Sequence, residues 1–485
     1  MAQDIVTRAL RRARRVPHRY RWIAVLVLIW TSILLTSCDR GREDTEVGTP
    51  QPQGRPNVIL ILADDLDKSV FSRTTLDSAW VTEGASFSNA LDTTSLCCPS
   101  RASILRGQYA HNTGLVNNDN DQPGGGAVYF REQGLDERTV ATILRARGYE
   151  TWFGGKYLNG YETVGGFDGY VPPGWDHWQS YLSPFSANVD GRTVPVMQHY
   201  TDWLSAQATK FIDNQRDSSK PIFMIIAPLD THEPLWIPLR HKGAYLEQRA
   251  PRPPSFDEAD VSDKPKWVRD QQPLNAQMVA AFDHQQVLRM QSALTLEDLC
   301  RHVIDALSRA KQLNDTYLIF TSDNGYQMGL HGIRARKFMP YTEAHEVPFV
   351  VRGPSVPAGA SFDELVANID IAPTALDLAG VEEPGWMDGR SFEPILDSDA
   401  PEAWRDSLLI EGVKSSSPKR PAYSGVRRQD EIYVRYESGE EEFYDLRKDP
   451  YQLESRPQDA SALLKKRLEA LKNCAGEGCR QAEGP

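Results

Sequence analysis

The chain has 485 residues, which exceeds the usual size of a single hydrophobic core and predicts one large domain and one smaller domain. Its formal charge is −12, and removing the net +6 of residues 1–37 leaves −18 for the remainder. So acidic a protein is not expected to bind nucleic acid, and an anionic ligand has to be held by a local basic pocket because the overall field repels it.

The first segment, residues 1–37, has the organisation of an export signal. Seven arginines precede an apolar run of fourteen residues, Trp22 to Leu35, which is short for a membrane-spanning helix. The run ends in Leu-Thr-Ser-Cys38, which resembles a bacterial lipobox and so implies cleavage before Cys38 and lipid on it. An uncleaved signal anchor is the alternative. Residues 38–54 are predicted to be a flexible tether, so we expect a lipoprotein on the outer side of the bacterial cell membrane, or else a secreted or signal-anchored protein.

Four apolar runs predict strands that are buried on both faces, and each run is followed by polar residues. These are 57–63 before Asp64 and Asp65, 150–153 before Lys156, 221–227 before 230–233, and 316–320 before Asp323 and Asn324. Helical patterns such as 139–147 and 296–312 lie between them, and this alternation predicts an α/β fold with a mainly parallel sheet flanked by helices. Because ligands bind beyond the carboxyl ends of such strands, we expect the four ends to converge on one site.

The polar residues at these ends suit a metal and an anion. Carboxylate and amide oxygens favour Ca²⁺ or Mg²⁺, and no set of histidines or thiolates indicates zinc here. The oxygen donors are Asp64, Asp65, Asp323 and Asn324, and the groups that would supply positive charge and protons are Lys156, His232 and Lys337. Each residue alone has an ordinary explanation as a cap, a turn or a surface group. Their combination indicates a single site.

A vicinal cysteine pair, Cys97-Cys98, precedes a predicted helix. Pro99 is suited to the first turn of a helix, and residues 102–105 continue the helical pattern. Cys97 is therefore expected just before a helix N-terminus, where free N–H groups and the dipole favour negative charge. Arg101, one turn along, is expected to face the same place. For these five residues alone, a buried cysteine pair beside a proline turn is the alternative.

The pattern Cys-x-Pro-x-Arg resembles the signature of the type I sulfatases, and further matches extend along the chain. They lie at residues 57–65, 321–325, 329–332, 336–337, 346–354, 370–374, 443–446 and 449–450. The resemblance implies an alkaline-phosphatase-like catalytic α/β domain over 55–400 and a smaller subdomain with an antiparallel sheet over 401–485. Residues 96–105, 155–159 and 171–178 are similar to N-acetylglucosamine-6-sulfatases and heparan sulfate 6-O-endosulfatases, which favours 6-O-sulfated glucosamine as substrate. The long basic insertion of the endosulfatases is absent.

The sulfatase resemblance also implies a set of roles. The matching cysteine of that family is oxidised to formylglycine by a formylglycine-generating enzyme, and Ca²⁺ is the usual metal, with Mg²⁺ as the alternative. The implied metal site consists of Asp64, Asp65, Cys97, Asp323 and Asn324. The formylglycine hydrate from Cys97 would attack sulfur, Lys156 and Lys337 would bind the sulfate oxygens, His232 or Lys337 would protonate the leaving alcohol, and Arg101 would fix the formylglycine environment.

One position departs from the family pattern. Many sulfatases carry a histidine two residues after the lysine that matches Lys156, and this chain has Leu158 there. The identity of the base that releases sulfate is therefore open, with His331 and Asn159 as candidates.

Two other functions are alternatives to a sulfatase. One is a phosphonate or phosphodiester hydrolase, and the other is a catalytically silent lipoprotein that binds sulfated glycans.

The remaining cysteines are interpreted by position. Cys474 and Cys479 enclose four residues near the C-terminus, and in an oxidising compartment they are predicted to form a small disulfide, with a metal pair as the alternative. Cys98 and Cys300 have no evident partner. The segment 238–273, rich in proline and charge, is expected to shape the substrate pocket.

Overall fold

The computed structural model of the protein describes residues 54–76, 80, 82–166, 169–397, 403–416 and 419–485. Residues 52–485 form one compact unit. The predicted export signal, the lipobox Cys38 and the tether up to residue 53 lie outside the described residues. Across the ranges that are described, no helix is both long enough and apolar enough to cross a membrane.

In the described part of the chain, ten strands form one mixed sheet. They are β1 (Asn57–Ala63), β2 (Ala85–Leu91), β3 (Glu150–Gly155), β4 (His177–Ser183), β5 (Ser186–Val189), β6 (Arg192–Pro195), β7 (Ile222–Ala227), β8 (Thr316–Ser322), β9 (Phe349–Arg352) and β10 (Ser361–Ala367). Their order is β10-β2-β9-β8-β1-β7-β3-β4-β5-β6. The five central strands, β8 to β4, run parallel, whereas β9, β5 and β6 are antiparallel to their neighbours.

The four strands predicted from the apolar runs are β1, β3, β7 and β8, and they are consecutive neighbours in the order β8-β1-β7-β3. Their register aligns the carboxyl ends, since Ala63 pairs with Ser322 and Gly155 pairs with Ala227. The predicted parallel arrangement is therefore confirmed where the site was expected. All the residues of β1 are buried, as a strand covered on both faces requires.

Helices cover both faces of this sheet. In β1, Val58, Leu60 and Leu62 pack on one face and Ile59 and Ile61 on the other, because successive side chains of a strand alternate. Among the described residues, the α-helices of the whole fold, including those beside the smaller C-terminal sheet, are Lys68–Ser72, Cys97–Arg106, Ala110–Thr113, Gly126–Glu132, Val140–Ala146, Tyr200–Asn214, Lys266–Arg269, Ala276–Ala310, Thr342–His345, Ile371–Leu378, Glu393–Leu396, Ala462–Leu471 and Glu477–Ala482.

Two of the predicted helices are longer or start earlier than the sequence indicated. The pattern over 296–312 is the second half of a 35-residue helix, Ala276–Ala310, which packs with Tyr200–Asn214 on the Ile59 face. The helix after the cysteine pair begins at Cys97, with Leu96 as the N-cap residue. Cys97 is thus the first helical residue and does not precede the helix, because the chain turns at Leu96 rather than at Pro99.

A smaller antiparallel sheet lies near the C-terminus, as predicted. Its strands are β11 (Leu408–Gly412), β14 (Tyr423–Arg427), β15 (Glu431–Tyr436) and β16 (Glu441–Asp445), and a two-stranded ribbon of β12 (Ser415–Ser416) and β13 (Lys419–Arg420) precedes β14. Helix Ala462–Leu471 packs against this sheet.

The predicted disulfide between Cys474 and Cys479 is confirmed. Cys98 and Cys300 are buried free thiols.

Candidate active site

The carboxyl end of β1 places Asp64 and Asp65 at the centre of the site. Asp65 has a φ of +60°, in the left-handed region that an aspartate rarely adopts. Its backbone carbonyl accepts hydrogen bonds from Thr231, at 3.1 Å, and from the guanidinium of Arg289. The amide of Thr231 also donates to the carbonyl of Asp64 at 2.7 Å. These contacts fix the unusual backbone and tie the end of β1 to the chain that follows β7.

The carboxyl end of β3 delivers Lys156 to the same place. Gly155 has a φ of +104°, and a Cβ atom there would lie 1.9 Å from the carbonyl oxygen of Ala227, so only glycine permits this approach of β3 to β7. The amide of Lys156 then donates to the same carbonyl at 2.8 Å. The ammonium group of Lys156 lies 2.5 Å from Oδ2 of Asp64. The strand end therefore positions the lysine through its backbone.

The side chain of Cys97 is fully buried at the N-terminus of its helix. Its Sγ lies 2.8 Å from Nζ of Lys337 and 3.7 Å from Oδ1 of Asp64. Lys337 also contacts Oδ1 of Asp65 at 2.5 Å. The thiol of Cys97 therefore lies between a lysine and the two aspartates that follow β1.

Arg101 is buried one helical turn after Cys97, and its guanidinium group contacts several residues of the site. Its Nε donates to Oδ2 of Asp323 at 2.7 Å, and its Nη1 donates to the backbone carbonyl of Lys156 at 2.6 Å. Its Nη2 lies 3.7 Å from Asp64. The guanidinium thus links the ends of β1, β3 and β8, so its position depends on all three strands.

Two of the predicted oxygen donors, Asp64 and Asp65, lie in a group of potential metal ligands that also contains a thiol and an imidazole. One ligand atom each of Asp64, Asp65, Cys97 and His232 lies within 4.8 Å of the other three. Asn324 donates from Nδ2 to Asp65 at 2.7 Å, and its Oδ1 is buried with no hydrogen-bond partner among the described residues. A buried acceptor without a donor is costly unless a cation takes the place of the donor.

Asp323 is more deeply engaged in the protein than the other predicted ligands. One of its oxygens is paired with Arg101, and the other accepts a hydrogen bond from the amide of Asp65 at 3.2 Å. All nine predicted site residues are thus brought together. We call eight of them the charged floor, and the ninth, His232, lies at its edge with a side chain that is 32% exposed. The charged floor consists of Asp64, Asp65, Cys97, Arg101, Lys156, Asp323, Asn324 and Lys337.

Opposite charges in contact control ionisation in the floor. Burial raises the pKa of Asp64, but Lys156 and His232 outweigh it and hold that pKa well below its usual range. Lys337 does the same for the pKa of Asp65. Burial lowers the pKa values of Lys156 and Lys337, yet the carboxylates raise both above their ordinary value. The negative charge of Asp64 raises the pKa of His232 to about 9. The two aspartates and the two lysines are therefore ionised at neutral pH.

Two pockets open beside the floor, and His232 and Glu233 line both. We call the first the basic pocket, a cavity of about 530 Å³ whose lining includes Asp65, Gln271, Arg334, Arg336 and Lys337. The second, the aromatic pocket, has about 440 Å³ and a lining that includes Tyr181, Phe185, Met197, Tyr200 and Trp236. From the segment 238–273 that was expected to shape the substrate pocket, Gln271 reaches the basic pocket.

The candidates for the sulfate-releasing base lie in other surroundings. His331 hydrogen-bonds through Nδ1 to Glu258 at 2.6 Å and packs on Tyr341. The side-chain oxygen of Asn159 is buried without a hydrogen-bond partner among the described residues. Among the described residues, no hydrogen bond joins the side chain of His331 or that of Asn159 to Cys97. Their role as bases stays a prediction.

Sequence reasoning missed one buried residue of the site. Arg289, inside the helix Ala276–Ala310, contacts the Asp65 carbonyl, donates to Asp67 at 2.5 Å and stacks on Tyr326 with its guanidinium carbon 3.9 Å from the ring centre. From sequence alone, an arginine in the middle of an amphipathic helix is predicted to lie on the solvent-exposed face. The only available signal was its position among apolar residues on the buried side of the helix.

Comparison with known proteins gives concordant matches. The model of the sulfatase family matches residues 56–381, and a model described as N-sulphoglucosamine sulphohydrolase, C-terminal, matches residues 329–473. The N-acetylglucosamine-6-sulfatase of Capra hircus is 32% identical over 89% of this chain and 86% of its own length.

Two solved structures show the same fold. BT4656, in complex with its substrate D-glucosamine-2-N,6-O-disulfate, superposes with a TM-score of 0.72 and 24% identity over 86% of this chain and 96% of its own. The phosphonate monoester hydrolase SpPMH from Silicibacter pomeroyi superposes with a TM-score of 0.63 and 20% identity over 86% and 94%. At these identities, the two structures establish the shared fold.

Proposed function

We propose that this chain, which belongs to the sulfatase family and is a sulfuric ester hydrolase, removes the 6-O-sulfate from glucosamine units of sulfated glycans. The observation that carries the proposal is the position of Cys97. Its buried Sγ lies at a helix N-terminus, 2.8 Å from the ammonium group of Lys337 and beside Asp64. A nucleophile at this position lies beside an ammonium group and at the positive end of a helix, and both favour the transfer of an anionic sulfuryl group.

The sulfatase family generally uses formylglycine and a divalent metal, and the residues of this floor fit both. We propose Ca²⁺, with Mg²⁺ as the alternative, held by position 97 together with Asp64, Asp65, Asp323 and Asn324. The unpartnered Oδ1 of Asn324 supports an oxygen-ligated cation. When bound, such a cation supplies charge that stabilises the transferring group and activates an oxygen nucleophile.

The side chains of the floor divide the remaining work. A formylglycine-generating enzyme would convert Cys97 to formylglycine. The Sγ atom of Cys97 marks where the oxygens of the aldehyde hydrate would lie. Lys337 and Lys156 present ammonium groups to the non-bridging oxygens of the sulfate. His232, at the edge of the floor and partly exposed, donates a proton to the leaving alcohol. Arg101 keeps Asp323 and the backbone of Lys156 in place.

The assignment of glucosamine as substrate is supported by the similar proteins and by the positively charged residues of the basic pocket. The similar enzyme from Capra hircus is named for 6-sulfated N-acetylglucosamine, and it matches most of this chain. Arg334 and Arg336 line the basic pocket next to Lys337. The guanidinium of Arg334 offers donors to sulfate or carboxylate groups on the sugar, whereas that of Arg336 already donates through Nε to Gln285 at 3.1 Å and lies 3.6 Å from Glu233. An acidic protein thus acquires a local cationic entrance for an anionic substrate.

Parallel assays test this function. The full-length protein should release sulfate from glucosamine 6-sulfate with a kcat/KM at least ~100-fold above that for an aryl phosphonate ester. Mass spectrometry of the peptide that contains Cys97 should show the aldehyde. Faster cleavage of the phosphonate would instead assign the chain to the phosphonate or phosphodiester hydrolases that share its fold. An unmodified cysteine with no turnover would leave only a sulfated-glycan-binding protein.

We further propose that the mature protein is a lipoprotein attached through Cys38 to the outer side of the bacterial membrane. The basic segment, the short apolar run and the Leu-Thr-Ser-Cys38 sequence support this. Cys38→Ala should release the protein or leave an uncleaved precursor, which fractionation and intact mass would detect. Wild-type fractionation and mass in that variant would exclude the lipid anchor.

A further inference from the structure

Exposed apolar side chains are concentrated in the aromatic pocket. Phe185, Met197 and Trp236 are 62%, 90% and 49% exposed, and all three line this single cavity of about 440 Å³. They come from the turn between β4 and β5, the segment after β6 and the loop after β7. The rings of Phe185 and Trp236 meet edge to face, with centres 5.4 Å apart. A clustered apolar surface of this kind marks a binding site more often than three scattered side chains would.

The aromatic pocket also presents a few polar groups. Tyr200 is 8% exposed, and its hydroxyl has no hydrogen-bond partner among the described residues. The same holds for Nδ1 of His199, whose Nε2 contacts the carbonyl of Trp236 at 2.6 Å. Gln198 lies in the same wall. A largely apolar concavity with a small number of convergent polar groups is the usual form of a small-molecule site.

The aromatic pocket borders the edge of the charged floor, because it shares two lining residues with the basic pocket. His232 and Glu233 line this pocket and also the basic pocket, which contains Asp65 and Lys337. In the proposed reaction, an oxygen of the aldehyde hydrate at position 97 bonds to sulfur as the bond between sulfur and the ester oxygen breaks, and the ester oxygen takes a proton from His232. The carbon skeleton attached to this oxygen must therefore occupy space that borders His232. His232 lines the basic pocket and the aromatic pocket; the first suits anionic substituents and the second suits an uncharged ring.

We propose that the aromatic pocket binds the pyranose ring of the leaving alcohol, with one C–H face of the sugar against Trp236 and Phe185. A pyranose has such an apolar face and a rim of hydroxyls, and Gln198, His199 and Tyr200 offer polar groups for that rim. This inference rests on the proposed function and extends it by assigning residues to the body of the substrate. It makes Trp236 a determinant of affinity for the sugar rather than for sulfate.

Binding measurements on the full-length protein test this assignment without turnover. The probe for the pocket is the methyl glycoside of N-acetylglucosamine, which is uncharged, titrated by calorimetry, and the probe for the floor is inorganic sulfate. Trp236→Ala should weaken binding of the glycoside about tenfold, and Trp236→Phe should weaken it less because a ring is kept. Tyr451→Ala is the matched control, since Tyr451 is 41% exposed and does not line the pocket. Sulfate binding should change by less than about twofold in all three variants, which also reports that the floor is folded.

The outcomes separate this inference from the proposed function. Glycoside binding that is unchanged in Trp236→Ala, with sulfate binding intact, would overturn the inference. The inference would also be overturned if Trp236→Ala left glycoside binding unchanged but abolished binding to lipid vesicles or self-association. The pocket would then serve a membrane or a second copy of the chain. If no sulfate ester is hydrolysed but glycoside binding still depends on Trp236, the sugar site stands and the proposed hydrolysis falls.

Discussion

The charged floor and the aromatic pocket lie side by side but are held together in opposite ways. In the floor, each side chain is positioned by another, since Lys337 contacts both Cys97 and Asp65, and Arg101 joins Asp323 to the backbone of Lys156. In the aromatic pocket, the exposed rings of Phe185 and Trp236 meet edge to face and carry no charge. A substitution in the floor should therefore disturb several neighbours, whereas one in the pocket should act locally.

The energetic reason for this difference is the burial of charge. Removing one partner of a buried ion pair leaves the other charge uncompensated and costs about 3–5 kcal/mol. Truncating a half-exposed ring loses much less, because water already reaches it. The contrast teaches that activity and stability should change together in parts of the floor and separately in the pocket. The predictions below test where that coupling holds.

The largest effect on activity is expected at Cys97, an uncharged floor residue whose removal should leave stability intact. Cys97→Ala should lower kcat/KM for a sulfate ester at least about 10⁴-fold, because no other group supplies the formylglycine. The melting temperature should stay close to that of the wild type, since the change removes one sulfur atom and no permanent charge. Steady-state kinetics and thermal unfolding measure the two effects.

Cys98→Ala is the matched control. Cys98 is equally buried, and burial raises the pKa of its thiol to about 12, so it is not a competing nucleophile at neutral pH. Activity within about threefold of the wild type is expected for this control. Wild-type activity in Cys97→Ala would refute the central assignment.

The second effect is loss of the metal. Chelation should abolish most activity, and Ca²⁺ or Mg²⁺ should restore it. Asn324→Ala should weaken metal binding and lower kcat about 10²-fold or more, because it removes a buried oxygen that has no hydrogen-bond partner within the described ranges. Elemental analysis and a metal titration give the readout. Full activity in protein shown to be free of metal would contradict the oxygen-ligated site.

Asp323→Ala sharpens the comparison within the floor. It should weaken metal binding too, but it also leaves the buried Arg101 without its 2.7 Å partner. We therefore expect an additional loss of about 3–5 kcal/mol in the free energy of unfolding, which Asn324→Ala should not show. Denaturant unfolding of the two variants, each without metal, measures the difference. Equal stability would mean that Arg101 is not held by Asp323.

Much of the charged floor could be predicted from sequence because its chemistry follows strand ends. Apolar runs fix the strands, and a parallel sheet brings their carboxyl ends together, so Asp64, Asp323 and Lys156 had to converge. Lys337 is different. It follows a long irregular segment after β8, and no periodicity places such a segment, so its place in the site was predicted from its charge and from the family resemblance and not from a strand end.

The aromatic pocket could not be predicted for a related reason. Phe185, Met197 and Trp236 lie in three separate short connections, and single apolar residues in loops carry no periodic signal. Arg289 was hidden for the opposite reason, since it lies inside a long regular helix where charged residues are common. The start of the helix at Cys97 was missed because a proline in the first turn indicates a boundary only to within a few residues.

A third, smaller effect is expected at Lys337, which belongs to the floor by its contacts but is 17% exposed at the mouth. Lys337→Ala should lower kcat by about 10²-fold and change KM less, if its contact with the sulfate strengthens in the transition state. Lys220→Ala, which removes a 63% exposed lysine far from these contacts, is the control. A rise in KM with an unchanged kcat would make Lys337 a ground-state binding residue only.

The smallest effect, that of salt, tests whether the floor is sheltered from the field of the whole protein. The net charge of −18 outside residues 1–37 should oppose the approach of a sulfated sugar over long distances. Salt screens that repulsion over a Debye length of roughly 10 Å at 0.1 M but acts less on contacts such as that of Lys337 with bound sulfate. Moderate salt should therefore leave kcat/KM for a highly sulfated substrate unchanged or raise it slightly. Arg334 and Arg336 act in the opposite sense, because they attract the substrate at the entrance. A steep fall of kcat/KM with salt would show that this basic pocket, and not the sheltered floor, supplies most of the affinity.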